Sequence, residues 1–224
     1  MPAEEIADLL ETATEHAVQL VPDYGTRYSF DVRITRPQEP HPFGQANVRL
    51  VGLAPSRAPV TIKVEITGCD EPILLPTTER AVLHSFPDES LSASIRCYSL
   101  EEVATEKIRA GLQQRDRLNR SELQGKRGYA NRVRDIYDLW FLRTSEEANV
   151  DWALVKKILP EKTKARNTRW NSVDDFRDAG VEHLYKEQWS QRLQAFVGEL
   201  PPFTEAWDAY SMLLDEVDVV PIDG

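Results

Sequence analysis

The stretch "SLEEVATEKIRAG", residues 99–111, marks the point where the chain changes its period. Ser-Leu-Glu-Glu is a capping box: the Ser99 hydroxyl accepts from the backbone N–H near Glu102, and the Glu102 side chain reaches back. Tyr98 and Val103 are placed for the accompanying hydrophobic staple. Leu100, Val103, Ala104, Ile108 and Gly111 then recur at helical spacing, and the chain stays helical from there on. Further helices are expected over "NRVRDIYDLWFL" (131–142), over "VDWALVKKIL" up to Pro160, and over "SVDDFRDAG" with Ser172 as N-cap and Gly180 as stop. Two more are expected over "EHLYKEQWSQRLQAFVG" and, after Pro201 and Pro202, over "TEAWDAYSMLLDEV".

Upstream of Ser99 the periods differ. "AEEIADLLETATEHAVQLV" carries one apolar stripe and reads as an opening helix closed by Pro22 and Gly25. Tyr28, Phe30, Val32 and Ile34 then alternate with polar residues, the period of a half-buried strand. The loop "RPQEPHPFG" breaks that strand, "NVRLVGL" reads as a second, and "APVTIKVEIT" as a third with Val60, Ile62, Val64 and Ile66 on one face. An irregular span from Gly68 to about Ser94 leads to a short candidate strand, "SIRCY". The expected fold class is therefore α+β: a small mixed sheet with an N-terminal helix over residues 1–98, followed by an all-helical part over 99–224.

Composition narrows the function classes. With 224 residues, 41% of them hydrophobic, the chain is long enough for a sizeable core. No run is long and apolar enough for a membrane helix, and the acidic N-terminus is unlike a signal or transit peptide, so a cytoplasmic protein is expected. Cys69 and Cys97, with four scattered histidines, show no zinc spacing and read as core thiols. The net charge of −10 argues against a protein that coats nucleic acid over its whole surface. Yet residues 107–134 hold nine Lys or Arg against two acids, Asp116 and Glu122, a local charge of +7. That strip is either a solvated helical face or an electrostatic footprint for phosphates.

Three elements carry groups able to do chemistry. Lys107 falls inside the apolar stripe of the capped helix, so its ammonium either snorkels to the surface or meets an anion. Asp135 and Asp138 share one side of a helix that is apolar on most sides, and buried carboxylates need cations or donors. Arg132, Arg134 and Lys107 are the candidate partners. Lys63 and Glu65 point to the same polar face of the third strand, about 7 Å apart. Glu65, between Val64 and Ile66, is either a surface residue or a metal ligand fixed on a rigid element.

These elements, in this order, resemble the AbiEii/AbiGii-type toxin nucleotidyltransferases. The residues that carry the resemblance are "CYSLEEVATEKIRAGLQQR", the basic segment, "RVRDIYDLWFL" and the closing "WSQRLQAFVGELPPFTEAWDAYSMLL", within a span from about Asp31 to Leu214. The resemblance implies a polymerase-β-like core up to residue 98. It also implies transfer of a nucleoside monophosphate from an NTP, dependent on Mg²⁺, to an RNA acceptor such as transfer RNA. The setting it implies is a type IV toxin–antitoxin or abortive-infection system with a cognate antitoxin protein.

By the same resemblance Glu65 is the metal carboxylate, Lys107 the lysine on the triphosphate and Asp135 the acid of the RDxYD motif, these three being the catalytic candidates. Lys63, Lys107, Arg134 and Asp138 are the nucleotide-binding candidates, and Arg115, Arg117, Arg120, Lys126 and Arg127 the RNA-binding ones. The family's first motif, a Gly-Gly or Gly-Ser turn followed by Asp-x-Asp or Asp-x-Glu, is not in this sequence. Three readings of that difference stay open: a longer active product, a reduced relative kept for binding, or a second polypeptide that supplies the acids. A noncatalytic RNA- or partner-binding module using strip 107–134 is the alternative from another class. A metal-dependent nuclease ranks below both, for want of a D…ExK-like spacing.

Overall fold

The computed structural model describes residues 3–19, 29–35, 43–51, 60–67, 72–82, 93–118, 132–165 and 170–217. The chain forms two compact units, Met1–Pro72 and Ile73–Gly224.

In the first unit, helix α1 (Ala3–Gln19) packs on β1 (Ser29–Thr35). β1 pairs antiparallel with β2 (Phe43–Val51), and β2 with β3 (Val60–Thr67), as a three-stranded meander. The second strand begins earlier than expected: Phe43 and Gly44 belong to it although the sequence places them in the proline-rich loop. Pairing explains this, because Phe43 lies opposite Thr67 and Gly44 opposite Ile66, and ladder bonds extend a strand beyond its apolar alternation. Lys63 and Glu65 occupy register positions opposite Asn47 and Gln45. Their side chains lie outside the described residues.

In the second unit, β4 (Thr78–Ala81) and β5 (Ser94–Cys97) form a two-stranded antiparallel sheet, closed by a bond from Val82 N–H to Ala93 O of 2.8 Å. β4 falls in the span expected to be irregular. It is exposed throughout and has no apolar alternation, so the sequence carries no sign of it. Cys97 is a free, half-buried thiol on β5 rather than a core residue. Cys69 lies outside the described residues.

Among the described residues five α-helices follow: α2 (Leu100–Leu118), α3 (Val133–Thr144), α4 (Trp152–Ala165), α5 (Ala179–Leu193) and α6 (Phe203–Glu216). Their core includes Ala104, Ile108 and Leu112 of α2 with Val133, Ile136 and Leu139 of α3, all nearly or fully buried. An aromatic chain closes it: Trp189 lies 5.5 Å from Phe203, Phe203 5.7 Å from Trp207, and Trp207 5.3 Å from Tyr210, measured between ring centres. Such pairs add about 1 kcal/mol each beyond their buried area. The Trp189 indole N–H donates to Pro201 O at 2.8 Å, which fixes the turn between α5 and α6.

Three helix ends depart from expectation, one of them α5, which stops at Leu193 and not at Gly198. α4 runs through Pro160 instead of ending before it. A proline inside a helix costs about 3 kcal/mol, but Ile158, Leu159, Lys162 and Thr163 are buried across the break, and the Thr163 hydroxyl bonds the carbonyls of Leu159 and Pro160. Near Ser172 the structure has a 3-10 helix, Val173–Arg177, with the Ser172 hydroxyl accepting from Asp174 N–H. Gly180 does not stop a helix; it lies in the first turn of α5, whose cap is Asp178, accepting from the N–H groups of Gly180 and Val181.

Candidate functional site

The capping box at the start of α2 holds in one half only. Ser99 Oγ accepts from Glu102 N–H at 3.2 Å. The Glu102 carboxylate does not turn back: it is 1% exposed and accepts from the backbone N–H groups of Leu74 and Leu75, each at 3.2 Å. Lys162 of α4 forms an ion pair with it and lies 3.2 Å from Glu106 Oε1. Glu106 Oε2 in turn accepts two hydrogen bonds, from Arg109 Nη2 at 2.6 Å and Nε at 2.8 Å. Burial alone lowers the affinity of Lys162 for its proton, but the hydrogen bond to Glu102 and the charge of Glu106 outweigh it, and its pKa is raised. Glu102 is thus a buried anchor that ties α2 to α4 and to residues 74 and 75, and not merely a cap.

One helical turn further along α2, a second lysine meets two acids. Lys107 Nζ lies 3.2 Å from Asp135 Oδ1 and 2.6 Å from Asp138 Oδ2. Arg132 Nη1 holds the other oxygen of Asp135 at 3.3 Å. Of the two readings of Lys107, the anion is the one observed. Asp135 and Asp138 stand one turn apart on α3, which is mounted by Val133, Ile136 and Leu139 against α2, α5 and α6. α3 is also pinned at its far end, where Trp140 Nε1–H donates to Glu205 at 3.1 Å and Arg143 pairs with Glu216 at 2.6 Å.

The cluster is enclosed on one side and open on the other. The side chains of Lys107, Asp135 and Asp138 are 21%, 14% and 42% exposed. Burial pulls the Lys107 pKa down, while the charge of Asp135 and the hydrogen bond to Asp138 push it up by more, so the net shift is upward and the ammonium is fully charged near neutrality. Tyr210, fully buried on α6, feels the same site. Burial raises its pKa far above the ordinary phenol value, the nearby Arg177 opposes this, and the charge of Asp135 adds to it.

Arg134, the nucleotide-binding candidate of the same helix, stacks on an aromatic ring. It is exposed, with its guanidinium carbon 4.3 Å from the centre of the Phe196 ring. Arg115 and Arg117 lie on the last turns of α2 by their backbone, and their side chains, like Arg120, Lys126 and Arg127, fall outside the described residues. Sequence reasoning missed Lys162 as the partner of Glu102 and Glu106, and Tyr210 as a neighbour of the Asp135 charge; no local pattern marks either, because each acts across the packing of two helices.

The family model for "Nucleotidyl transferase AbiEii toxin, Type IV TA system" matches residues 2–212. The chain belongs to this family. No curated protein and no solved structure matches the chain. Membership of the AbiEii family implies an NTP as substrate and a cognate antitoxin. No described helix is long and apolar enough to cross a membrane.

Mg²⁺ does not fit the acids that the described residues bring together. A hard dication takes free carboxylate oxygens, whereas Asp135 and Asp138 are already neutralised by Lys107 and Arg132. Among the described residues there is no group of three or more His, Cys, Asp or Glu able to hold a metal.

Proposed function

We propose that this AbiEii-family chain transfers a nucleoside monophosphate from an NTP to an RNA acceptor, transfer RNA being the first candidate. The proposed division is a nucleotidyltransferase-like α/β part to residue 98 and a helical part, 99–224, that presents Lys107. The observation that carries the reading is the Lys107 ammonium, held at 3.2 and 2.6 Å between two carboxylates in a partly open cluster. Phosphoryl transfer asks a protein mainly for positioning and for neutralisation of charge on the phosphates. A lysine whose charge is secured and whose stem is packed on a helix meets both demands.

In this proposal Asp135 is a positioning residue. It is the more buried acid, it is held by Arg132 as well, and it keeps Lys107 aimed. Asp138, more exposed, is the partner that a phosphate oxygen displaces. Glu65, with Lys63, is carried by the family pattern as the metal-facing carboxylate on β3. Arg115, Arg117, Arg120, Lys126 and Arg127 are proposed to track the RNA backbone. The reaction takes place in the cytoplasm, where the NTP, the RNA and the antitoxin meet the chain.

The test is incubation of the full chain with each labelled NTP, Mg²⁺ and transfer RNA. Label transfer is expected, with Lys107→Ala and Asp135→Ala each reducing it by roughly 100-fold or more, the scale for losing one preorganised charge partner. Transfer that survives both substitutions sinks the residue assignment. Absence of transfer, together with RNA binding that weakens steeply with salt, favours the noncatalytic RNA-binding module instead.

A further inference from the structure

Phe196 is the most exposed of the large apolar side chains described, at 72%. A single exposed aromatic is ordinary on a protein surface. This one is built in: the turn after α5 is closed by bonds from Phe196 N–H and Val197 N–H to Leu193 O, at 2.8 and 3.1 Å, and Val197 packs on the core while Phe196 stands outward. Arg134 lies over the ring at 4.3 Å. Arg134 and Asp138 are four residues apart on α3 and so share a side of the helix. Asp138 Oδ2 touches the Lys107 ammonium at 2.6 Å. An aromatic ring, a guanidinium plane, a yielding carboxylate and an ammonium therefore follow one another along the start of α3.

We infer that Phe196 and Arg134 form a stacking platform for an unpaired nucleobase whose phosphate reaches toward Lys107. The inference rests on the transferase reading, and it adds a binding site for the base. Aromatic rings and arginine planes are the surfaces on which splayed-out bases stack, and stacking tolerates any base. Arg134 contributes charge as well as a plane, so it favours a base that carries phosphate. The base comes either from the end of the RNA acceptor or from the NTP.

Equilibrium binding of the full chain to a short, 5′-labelled single-stranded RNA, and separately to each NTP, decides between these sources and tests the platform. Phe196→Ala is expected to weaken one of the two by roughly 5- to 100-fold, with Phe196→Trp restoring it and Arg134→Lys restoring only part of the loss caused by Arg134→Ala. The arm in which the loss appears names the source of the base. Since Phe196 is exposed, thermal unfolding of the variants should match the parent. Parent chain that binds RNA or NTP while Phe196→Ala binds both equally well overturns the platform and leaves the transferase reading intact. A loss that Phe196→Trp does not restore also overturns it, and parent chain that binds neither ligand removes both readings together.

Discussion

Two lysines in the helical unit each sit between two acids, and the surroundings make them different devices. Lys162 and Glu102 are closed off, at 4% and 1% exposure, with backbone N–H groups of Leu74 and Leu75 on the Glu102 oxygens, while Glu106, at 28%, reaches the surface. Lys107, Asp135 and Asp138 are half open. In the closed Lys162–Glu102 pair solvent cannot replace a partner, so the pair acts on stability. In the open one Asp138 is 42% exposed, so water can take its place at small cost, and in the proposed function a phosphate does.

Breaking the closed cluster should give the largest effect. Lys162→Met leaves Glu102 buried without its cation, and removal of one partner from a buried pair costs about 3 kcal/mol or more. The helical unit should lose roughly 6–12 °C in melting temperature, measurable by circular dichroism. A change below about 1 kcal/mol would mean that the backbone donors of Leu74 and Leu75 hold Glu102 unaided, and the contrast between the clusters would weaken. Lys107→Met is the matched change in the open cluster. Arg132 still serves Asp135 and water serves Asp138, so stability should fall by only about 1 kcal/mol, while NTP affinity drops sharply. Equal losses of stability in the two variants would erase the distinction.

Alkaline pH probes both clusters together. Lys107 and Lys162 have pKa values raised above 10.5, and Tyr210 is raised above 10.0. A raised pKa means that the folded state keeps its proton where the unfolded state has lost it, so stability falls as pH rises. The contribution of these groups is complete below about pH 10 and is lost progressively above it. Chemical denaturation should therefore give a stability insensitive to these groups from pH 7 to 9 and falling above 10. Lys107→Met should show a shallower fall than the parent; an identical slope would remove Lys107 from this linkage.

How much of this was legible in the sequence varies by element. The helical periods of α1, α2, α3 and α6 and the alternation of β1 and β3 placed those elements. Asp135 and Asp138 could be assigned to one side of a helix, and Lys107 could be seen to need an anion or a route to water. β4 was invisible because it buries nothing, and the course of α4 through Pro160 was hidden because the compensating burial comes from other helices. Glu102 shows the limit most clearly: its N–H donates to Ser99 as the capping box requires, yet its carboxylate does not reach back and goes to groups at residues 74, 75 and 162. Local pattern names a side chain's own helix; only packing names its distant partners.

The smallest effect sharpens the comparison most. Asp138→Asn removes a charge from a half-exposed position, and the amide oxygen can still accept from Lys107, so stability should change by only about 0.5 kcal/mol or less. The consequence for binding has the opposite sign from that of Lys107→Met. If Asp138 is the partner that a phosphate must displace, weakening its hold frees part of the ammonium's charge, and NTP affinity should rise by roughly two- to threefold, the factor that about 0.5 kcal/mol represents. Calorimetric titration of the parent and of Asp138→Asn at one ionic strength reads the difference. A clear fall in affinity would show that Asp138 holds the nucleotide itself, and the open cluster would then be a fixed receptor and not an exchangeable pair.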